Sequence, residues 1–503
     1  MVPKSNAFLI SIDLGTSSIR VALTNNELKV IFLKQFPVSL QMDGLGKAVQ
    51  DADEIIKLAL DGLSTVLKWA DANQVKPIGI CFSNASASLV GLDEDFQPLA
   101  PALTYLDLRS RAQAENLLAL HGSDAFRFTG APVHASYWLP KFQWLAATNP
   151  ALHKAAYFCT IKDLLVYRLT GQFMTDVANA GADGMCDVRT MDWDPKLLKL
   201  AGIERGQLPQ VAPTTAILDL APVVNIPELR KHSDLKIILG AMDGLLASLG
   251  AGAFLPGQVT TTIGSSGACR VAARMPLTEG DPLLIWSYPL DKDIWFSGGA
   301  MNNGGLVTKW LVENFSLSGI ADERGYEAFF SEAASVNAGA EGLIFLPYLY
   351  GERAPIYTEN ARGVFFGLTA QHKRAHFSRA GLEGILFALY SIYTIVQPAG
   401  NSQPIQVTGG YLKSDLLLQI QADIFGVPIE TRENLEGSVI GAAMVGMKAL
   451  GVIRDYQDVT AMLPVDRVFL PDEQNHKTYQ HHYKRFKKLH EIMISTNCFE
   501  KTM

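Results

Sequence analysis

The sequence predicts an α/β protein built as an internal duplication, with two similar domains facing each other across a cleft. Strand-like and helix-like segments alternate along all 503 residues, which is the pattern of mixed α/β domains. A strand, a Gly-Ser/Thr turn and a returning strand occur at 10–21 and again at 258–273. The second copy matches the first after one insertion, because an arginine follows the turn glycine by five positions in one copy and by six in the other.

The elements follow from hydrophobic periodicity, taken in chain order. Alternating apolar residues predict the strands Phe8–Leu14, Ile19–Leu23, Val30–Pro37, Pro77–Ser83 and Ser88–Asp93. Apolar residues at helical spacing predict the helices Ala52–Asn73, Ala112–His121, Lys141–Ala147 and Lys162–Leu169. In the later part of the chain we expect the strands Gln258–Ile263, Ala268–Ala273, Leu343–Pro347 and Gln406–Thr408, and the helices Ser378–Gln397, Ser414–Phe425, Val439–Leu450 and Thr478–Met493. Small residues cluster at Ala241–Gly257, so we place the boundary there, giving domains 1–245 and 246–503.

Composition narrows the class of protein. Hydrophobic residues make up 48% of the chain and charged residues 18%, which supplies buried cores and argues against disorder. A net charge of −7 does not favour nucleic acid or an anionic membrane surface as a partner. The five cysteines form no Cys-x-x-Cys pair and no signal peptide is evident, which is typical of a cytoplasmic protein with reduced thiols. The apolar stretch Ile237–Leu255 is interrupted by Asp243, so we predict a strand, a tight turn and a helix there instead of a membrane span.

The first turn has the chemistry of a phosphate site. Gly15 lets the backbone turn tightly, and Thr16 and Ser17 offer hydroxyl and N–H groups to an anion. Asp13, at the end of the preceding strand, is able to hold a hydrated Mg2+ against that anion. The same residues also fit an ordinary β-hairpin with a polar turn.

Other nucleotide and catalytic motifs are absent from the sequence. It contains no Gly-x-x-x-x-Gly-Lys-[Ser/Thr] loop, no Gly-x-Gly-x-x-Gly loop, no His-Glu-x-x-His and no Gly-x-Ser-x-Gly. Phosphate recognition is therefore assigned to the two hydroxyl-rich hairpins.

Several fragments, in order, resemble the FGGY family of carbohydrate kinases over nearly the whole chain. They are Asp13–Arg20, Tyr105-Leu106-Asp107-Leu108-Arg109, Thr129-Gly130-Ala131-Pro132 with Lys141–Leu145, Gly240-Ala241-Met242-Asp243, Gly264-Ser265-Ser266-Gly267, Gly351-Glu352-Arg353-Ala354-Pro355, Gly363–Leu368 and Gly409-Gly410 with Gln419–Gly426. Each fragment is weak alone, but their order and spacing are specific. The resemblance implies the duplicated actin/hexokinase/Hsp70-like (ribonuclease H-like) fold and transfer of the γ-phosphoryl group of ATP to a sugar or polyol hydroxyl.

The resemblance also implies roles for individual residues. Asp243 is expected to be the general base, although an N-cap carboxylate for the following helix is an alternative. Asp13 is expected to orient Mg2+ through water. ATP is expected to contact the two turns and five later residues. The full set is Gly15, Thr16, Ser17, Arg20, Gly264, Ser265, Gly304, Gly305, Gly409, Gly410 and Ser414. The neighbours Glu352 and Arg353 are interpreted as an interdomain ion pair, with a ligand site as the alternative.

The resemblance places the sugar site in the N-terminal half of the chain. Its expected residues are Tyr105, which replaces the family's Trp, together with Asp107, Arg109, His134, Lys141, Ser83 and Asn84. Ser83 and Asn84 stand in a segment where related kinases often carry His. His134, Lys141 and Arg109 are the candidate cations for a substrate carboxylate, whereas Asp107 and Arg109 are also able simply to pair with each other.

Two local segments are similar to the gluconate kinase branch of the family. They are Thr129–His134 and Met191-Asp192-Trp193-Asp194. We therefore expect D-gluconate to be phosphorylated on its 6-hydroxyl, with xylulose or another ketose or polyol as the alternative substrate. A non-catalytic sugar or nucleotide sensor with the same fold is a further alternative, and a homodimer is an expectation at the level of the family.

Overall fold

A computed structural model describes residues 7–223, 225–278, 284–316, 319–358, 360–397, 402–432, 436–496 and 498–499. The strands of the N-terminal half are β1 (Phe8–Leu14), β2 (Ser18–Asn25), β3 (Val30–Pro37), β4 (Gln41–Met42), β5 (Ala48–Gln50), β6 (Pro77–Asn84), β7 (Val90–Leu92), β8 (Ala102–Leu103), β9 (Tyr157–Cys159), β10 (Met174–Asp176), β11 (Cys186–Asp187), β12 (Asp192–Trp193), β13 (Gln210–Ala212), β14 (Ile217–Asp219) and β15 (Lys236–Met242). Its helices are α1 (Ala52–Ala72), α2 (Arg111–Thr129), α3 (Trp138–Thr148), α4 (Pro150–His153), α5 (Ile161–Thr170), α6 (Val177–Ala182), α7 (Pro195–Ala201) and α8 (Asp243–Gly250).

The C-terminal half continues the same alternation. Its strands are β16 (Val259–Ile263), β17 (Gly267–Ala273), β18 (Trp286–Asp291), β19 (Ile294–Met301), β20 (Ile344–Leu346), β21 (Val364–Phe366), β22 (Ile405–Thr408), β23 (Ile429–Arg432) and β24 (Val465–Phe469). Its helices are α9 (Gly305–Phe315), α10 (Glu323–Ala334), α11 (Arg374–Val396), α12 (Asp415–Phe425), α13 (Gly437–Ala449) and α14 (Glu473–Ser495).

Two large sheets with the same connectivity confirm the predicted duplication. The first has the order β14-β15-β6-β1-β2-β3, and the second has the order β24-β23-β22-β16-β17-β19-β18. In each, three antiparallel strands are followed by two parallel strands and one antiparallel strand, with β18 added at the edge of the second sheet. The turn between β1 and β2 is therefore the topological equivalent of the turn between β16 and β17.

Most predicted elements lie within a few residues of the observed ones, because their periodicity is strong. Helix α1 begins after the N-cap Asp51, whose carboxylate accepts the backbone N–H of Glu54, and its buried stripe faces the first sheet. The stretch Ile237–Leu255 contains β15 and α8, as predicted. All five cysteines lie within the described residues and none is paired.

Helix α11 is the central helix of the C-terminal core. Among the described residues it is the one helix long and apolar enough to cross a membrane, and 83% of its most apolar window is buried inside the protein. Its buried residues pack with those of β20, β22 and α12. These contacts explain the apolar sequence as core packing.

Helix α13 lies late in the sequence but covers the first sheet. Its residues Ile440, Met444 and Met447 share a hydrophobic cluster with Leu9 of β1 and with Leu245 of α8. Glycines allow helices α13 and α8 to meet backbone to backbone, since a Cβ on Gly441 would lie 2.0 Å from the carbonyl oxygen of Leu246. This contact brings the beginning of α13 to the end of β1.

The two halves also meet along β18. The backbone N–H of Ser287 donates to the carbonyl of Gly130 at 2.7 Å, and the hydroxyl of Thr214 donates to the carbonyl of Leu290 at 2.9 Å. The cleft between the sheets is therefore closed on one side by an edge strand of the C-terminal half.

Candidate active site

A cavity of about 260 Å³ lies in the cleft where the ends of the two sheets meet. The N-terminal half contributes Tyr105, His134, Tyr137 and Asp243 to its wall, and the C-terminal half contributes the turn after β16. Four further side chains complete the lining: Arg270, Tyr288, Arg353 and Tyr357. We refer to this space as the substrate cavity.

Asp243 opens helix α8 at the wall of the substrate cavity. Burial, together with the negative charge of Asp13, raises the pKa of this carboxyl from its ordinary value of 3.8 to about 6, against the opposing charge of Arg270. A carboxyl group with this pKa is ionised at neutral pH but remains basic enough to accept a proton. The arrangement can therefore take a proton from a hydroxyl group bound in the cavity.

Asp13 ends β1 and is held by two serine hydroxyls. Ser83 at the end of β6 donates to one carboxylate oxygen at 2.6 Å, and Ser438 in the first turn of α13 donates to the other at 3.0 Å. Only 2% of Asp13 is exposed. Each oxygen keeps further acceptor capacity, so this carboxylate is able to hold a cation beside the first turn.

The two turns predicted to bind phosphate carry exposed serine side chains. The N–H of Gly15 donates to the carbonyl of Ser18 at 3.1 Å, and the side chain of Gln50 donates to the carbonyl of Thr16 at 2.9 Å, while Ser17 is exposed. In the second turn, the N–H of Gly264 donates to Ser266 at 2.9 Å and Ser265 is exposed. The turns are therefore fixed by their own backbones and leave side-chain hydroxyls available.

The second turn is supported from behind by the start of α9. The N–H of Gly305 donates to the carbonyl of Gly264 at 2.7 Å, and a Cβ on Gly304 would lie 2.5 Å from the carbonyl oxygen of Ser266. Gly409 has a φ of 101° and packs against Ile263. A Cβ on Gly409 would lie 2.6 Å from the carbonyl oxygen of Ile263. These glycines are required because the backbones approach each other closely.

A second and larger cavity, of about 870 Å³, lies on the other side of this turn. Three residues predicted to contact ATP line this cavity, Gly305, Gly410 and Ser414, and the hydroxyl of Ser414 also caps α12. The sequence analysis missed the aromatic and polar side chains of this wall: Thr308, Tyr326, Glu327, Phe330 and Tyr411. Gly264 lines both cavities, so the second phosphate turn separates the two spaces.

Two of the predicted sugar-site residues line the substrate cavity. Tyr105 does so, and its ring centre lies 6.0 Å from the guanidinium carbon of Arg353. The ring of His134 lines the cavity edge-on to Tyr357, and its Nδ1 accepts the N–H of Ser136. Burial lowers the pKa of His134 to about 3, and the positive charge of Arg353 acts in the same direction, so His134 is neutral here and is not the expected cation.

The pair Asp107 and Arg109 lies outside the lining of the substrate cavity. Arg109 donates to both oxygens of Asp107, at distances down to 2.7 Å, and its guanidinium stacks on Trp144. Asp107 also accepts the N–H of Ala48 at 3.1 Å. The two residues therefore pair with each other, as the alternative interpretation predicts.

Lys141 is also placed differently from the expectation. Its ammonium group is buried and donates to the carbonyl oxygens of Thr104, Ser136 and Ala87, at 2.8, 2.7 and 3.3 Å. An ammonium group has three donors, so none remains for a substrate carboxylate. Lys141 instead ties together three loops beneath the substrate cavity.

Ser83, Asn84 and Arg20 likewise make internal contacts. Ser83 holds Asp13, and the amide of Asn84 exchanges hydrogen bonds with Asn179 at 2.8 and 3.0 Å. Arg20 forms an ion pair with Glu436 at 2.5 Å and lies 3.7 Å from Asp13. These three side chains support the first phosphate turn from behind and do not line the substrate cavity.

The cations of the substrate cavity are two arginines that the sequence analysis did not assign to the substrate. Arg270 of β17 donates to Thr262 at 3.3 Å, and its Nε has no hydrogen-bond partner among the described residues. The Nε of Arg353 donates to the side-chain oxygen of Asn302 at 2.8 Å. Within the described part of the chain, neither guanidinium forms an ion pair with a carboxylate, so the expected interdomain pair of Arg353 with Glu352 is not formed.

The carboxyl of Glu352 is used within its own loop. It accepts the backbone N–H groups of Asn302 and Arg353, at 2.5 and 2.9 Å, and the amide of Asn303 at 2.9 Å. Burial raises its pKa to about 7. This carboxyl therefore anchors the loop through N–H donors and forms no ion pair with the guanidinium of Arg353.

Comparisons with known proteins identify the family. Residues 8–250 match the N-terminal domain of the FGGY family of carbohydrate kinases, and residues 260–450 match its C-terminal domain. A gluconokinase of Bacillus licheniformis is 33% identical over 488 residues, covering 94% of each chain.

Solved structures agree with the predicted fold. A gluconate kinase from Lactobacillus acidophilus superposes with a TM-score of 0.91 at 30% identity, over 97% of this chain and 98% of its own. A ligand-bound xylulose kinase from the same organism gives the same score, identity and coverage. The expectation of a duplicated actin/hexokinase/Hsp70-like fold is confirmed by these similarities and by the matching topology of the two sheets.

Proposed function

The chain belongs to the FGGY family of carbohydrate kinases, and on that premise we propose that it transfers the γ-phosphoryl group of ATP to D-gluconate, giving 6-phosphogluconate. Sequence identity favours gluconate, since a gluconokinase is 33% identical to the chain and a xylulose kinase of Staphylococcus epidermidis is 28% identical, although a gluconate kinase and a xylulose kinase superpose on the chain equally well. The charge of the substrate cavity carries the choice. Arg270 and Arg353 bring two guanidinium groups that form no ion pair with a carboxylate of the described residues, and Asp243 is the one carboxylate in the described lining of the cavity. An excess of positive charge suits a sugar acid better than a neutral ketose.

In this proposal Asp243 is the general base. It accepts the proton of the attacking 6-hydroxyl as the oxygen bonds to phosphorus, and ADP leaves with the electrons of the broken bond. Its place at the cavity wall and its pKa of about 6 support this role. The alternative role of Asp243 as an N-cap is disfavoured, because Asp243 is the first residue of α8 and Met242 occupies the N-cap position.

The phosphates of ATP are assigned to the two turns. Ser17 and Ser265 provide exposed hydroxyls on opposite sides of the cleft, and Gly264 provides backbone that borders both cavities. A nucleotide bound in the larger cavity would then place its γ-phosphate at the turn that contains Gly264, where it would face the substrate hydroxyl. Such an arrangement promotes transfer by positioning and by fixed dipoles.

Mg2+ is assigned to Asp13. When bound, it would neutralise charge on the β- and γ-phosphates. Among the described residues no group of three or more His, Cys, Asp or Glu side chains is arranged to hold a metal. This fits Mg2+, which usually takes one or two carboxylates together with phosphates and water. Ser83 and Ser438 orient the carboxylate for that purpose.

The runner-up function is phosphorylation of xylulose or another ketose or polyol, which the similarity to a xylulose kinase favours. A coupled assay of ADP release across gluconate, xylulose, glycerol and related sugars separates the two. We expect turnover with gluconate to exceed that with any neutral sugar. Strong turnover with xylulose and none with gluconate would overturn the substrate assignment, and no turnover with any sugar would favour a sensor.

The base assignment has its own test in Asp243→Asn. This variant keeps the size of the side chain but is unable to accept the proton, so kcat should fall by about 10²–10⁴-fold. Gluconate binding, measured by calorimetry, should persist. Full activity in this variant would exclude Asp243 as the base.

A further inference from the structure

Arg270 connects the proposed general base with the second turn. Its Nη1 donates to the hydroxyl of Thr262 at 3.3 Å, and Thr262 lies two residues before Gly264. Its Nη2 lies against Gly244, the residue after Asp243, since a Cβ on Gly244 would be 2.9 Å from that nitrogen. All of these residues line the substrate cavity. The guanidinium therefore lies between the carboxylate that would accept the proton and the turn that would hold the phosphates.

The equivalent arginine of the first hairpin is neutralised, whereas Arg270 is not. Arg20 lies 3.7 Å from Asp13 and 2.5 Å from Glu436. Asp13 stands two residues before the glycine of the first turn, and the neutral Thr262 has that position in the second hairpin. Arg270 forms no ion pair with a carboxylate of the described residues, and its Nε has no hydrogen-bond partner among them. The duplication thus leaves one of its two arginines with its charge and most of its N–H groups available to a ligand.

The carboxylate of Asp243 shares the cavity with Arg270, but within the described part of the chain the two side chains form no ion pair. Burial lowers the pKa of the Arg270 guanidinium, and the charge of Asp243 opposes this change. The ring of Trp286, with its centre 5.9 Å from the guanidinium carbon, supports the cation without neutralising it. Because a buried cation is costly without a partner, an anionic group that enters beside Asp243 would be stabilised by Arg270.

Resting on the proposed roles of Asp243 and the second turn, we propose that Arg270 is a further catalytic residue, whose guanidinium binds the γ-phosphoryl group of ATP during its transfer. The oxygen of the sugar hydroxyl bonds to phosphorus and its proton passes to Asp243, while the bond between phosphorus and the bridging oxygen breaks and its electrons leave with ADP. The oxygens of the group in transit carry negative charge, which the N–H groups of a guanidinium stabilise. Since every acceptor receives the same phosphoryl group, this role is independent of the sugar.

The first test is Arg270→Gln, assayed with the sugar that the substrate panel selects. We expect kcat to fall by about 10³-fold, the effect that one arginine on a transferred phosphoryl group has in other phosphotransferases. The KM for the sugar should change little, because the contact is made with the phosphoryl group and not with the sugar. Arg274→Gln makes the same change at an exposed position four residues further along the chain and should behave as the wild type.

Binding measurements separate this role from contact with the sugar. ADP with aluminium fluoride mimics the phosphoryl group in transit, so in the presence of the sugar its affinity should fall by about 100-fold in Arg270→Gln. The affinities for ADP alone and for the sugar alone, measured by calorimetry, should be unchanged. Weaker binding of the sugar alone, with unchanged affinity for ADP and aluminium fluoride, would overturn the inference and make Arg270 a ligand of the sugar.

Gly244 offers a second variant, in which the arginine is kept. Gly244→Ala places a methyl group against Nη2 of Arg270 and displaces the guanidinium, whereas alanine itself favours the helix. We expect kcat to fall in Gly244→Ala, and to fall much less when the same change is made in Arg270→Gln, because the group that it displaces is then absent. Equal falls in the two backgrounds would contradict the inference, since the alanine would then act directly on Asp243 or on the substrate.

A wild-type kcat in Arg270→Gln would also overturn the inference. Failure of the proposed function would look different. Full activity in Asp243→Asn would remove the base whatever Arg270 does, and turnover of xylulose without turnover of gluconate would change the sugar but not the effect of Arg270→Gln. Circular dichroism and thermal unfolding check that each variant is folded.

Discussion

The hydroxyl groups of Tyr137 and Tyr288 lie 2.7 Å apart and join the two halves of the chain at the wall of the substrate cavity. Tyr137 precedes α3 in the N-terminal half and Tyr288 lies on β18 in the C-terminal half. Burial raises the pKa of the Tyr137 hydroxyl to about 12, so both groups are neutral and one donates to the other.

Removing one hydroxyl of this pair should cost more than removing both. Tyr288→Phe leaves the hydroxyl of Tyr137 without its partner, so we expect the free energy of unfolding to fall by about 1 kcal/mol or more. In the double variant with Tyr137→Phe no buried hydroxyl is left unpaired, and part of the loss should be recovered. Thermal unfolding of the two single variants and the double variant measures this coupling, and strictly additive losses would contradict it.

The pH dependence of the reaction should report the ionisation of Asp243. Burial and the charge of Asp13 raise its pKa to about 6. Because the base must be deprotonated, the rate should rise with pH through about 6 and then level off, instead of rising near the ordinary value of 3.8. Arg270→Met removes a positive charge that lowers this pKa, so the rise should move to higher pH. A pH–rate profile of both enzymes checks the midpoint, and an unmoved midpoint would argue against the coupling.

The Mg2+ requirement should depend on the serine that orients Asp13. Ser83→Ala removes the 2.6 Å hydrogen bond to the carboxylate, and loss of such a supporting group should raise the half-saturating Mg2+ concentration by about tenfold. Ser11→Ala is the matched control. Ser11 lies on β1, the strand that carries Asp13, but its hydroxyl donates to the carbonyl of Val439 and not to Asp13. Equal Mg2+ titrations of ATP turnover in the two variants would count against a metal at Asp13.

Lys141 should matter for stability and little for substrate affinity. Lys141→Met keeps the length of the side chain but leaves the carbonyls of Ala87, Thr104 and Ser136 without their donor. We expect the free energy of unfolding to fall by about 3 kcal/mol, with Tm reduced and KM for gluconate little changed. A large rise in KM at an unchanged Tm would instead make Lys141 a substrate ligand.

The two glycine- and serine-containing hairpins and the place of Asp243 at the start of a helix could be predicted from the sequence because each is a local pattern. A strand, a glycine and a run of hydroxyl residues lie next to one another in the chain, and the duplication repeats them. The partners of charged side chains are not local. The sequence predicts Lys141 as a cation available to the substrate, but its ammonium group donates to three backbone carbonyls from separate loops. Every residue has a carbonyl, so the sequence does not indicate which ones a lysine will bind.

The partners of Arg270 and Arg353 could not be predicted from the sequence either. The repeated hairpin places Arg270 at the position equivalent to Arg20. The two arginines nevertheless have different neighbours, because Arg20 pairs with Glu436 whereas Arg270 lines the substrate cavity. Arg353 stands beside Glu352, which suggested an ion pair. The fold instead gives that carboxyl to backbone N–H groups, and this follows only from the positions of β19 and the loop after β20.

Helix α13 has a consequence for any attempt to divide the molecule. A polypeptide ending near residue 245 would lack Ile440, Met444 and Met447, which cover Leu9 and Leu245, and Asp13 would lose Ser438. Such a fragment would expose an apolar face and should aggregate when produced alone. A circularly permuted chain in which α13 precedes β1 would keep these contacts. An isolated N-terminal unit should therefore be made by permutation and not by simple truncation.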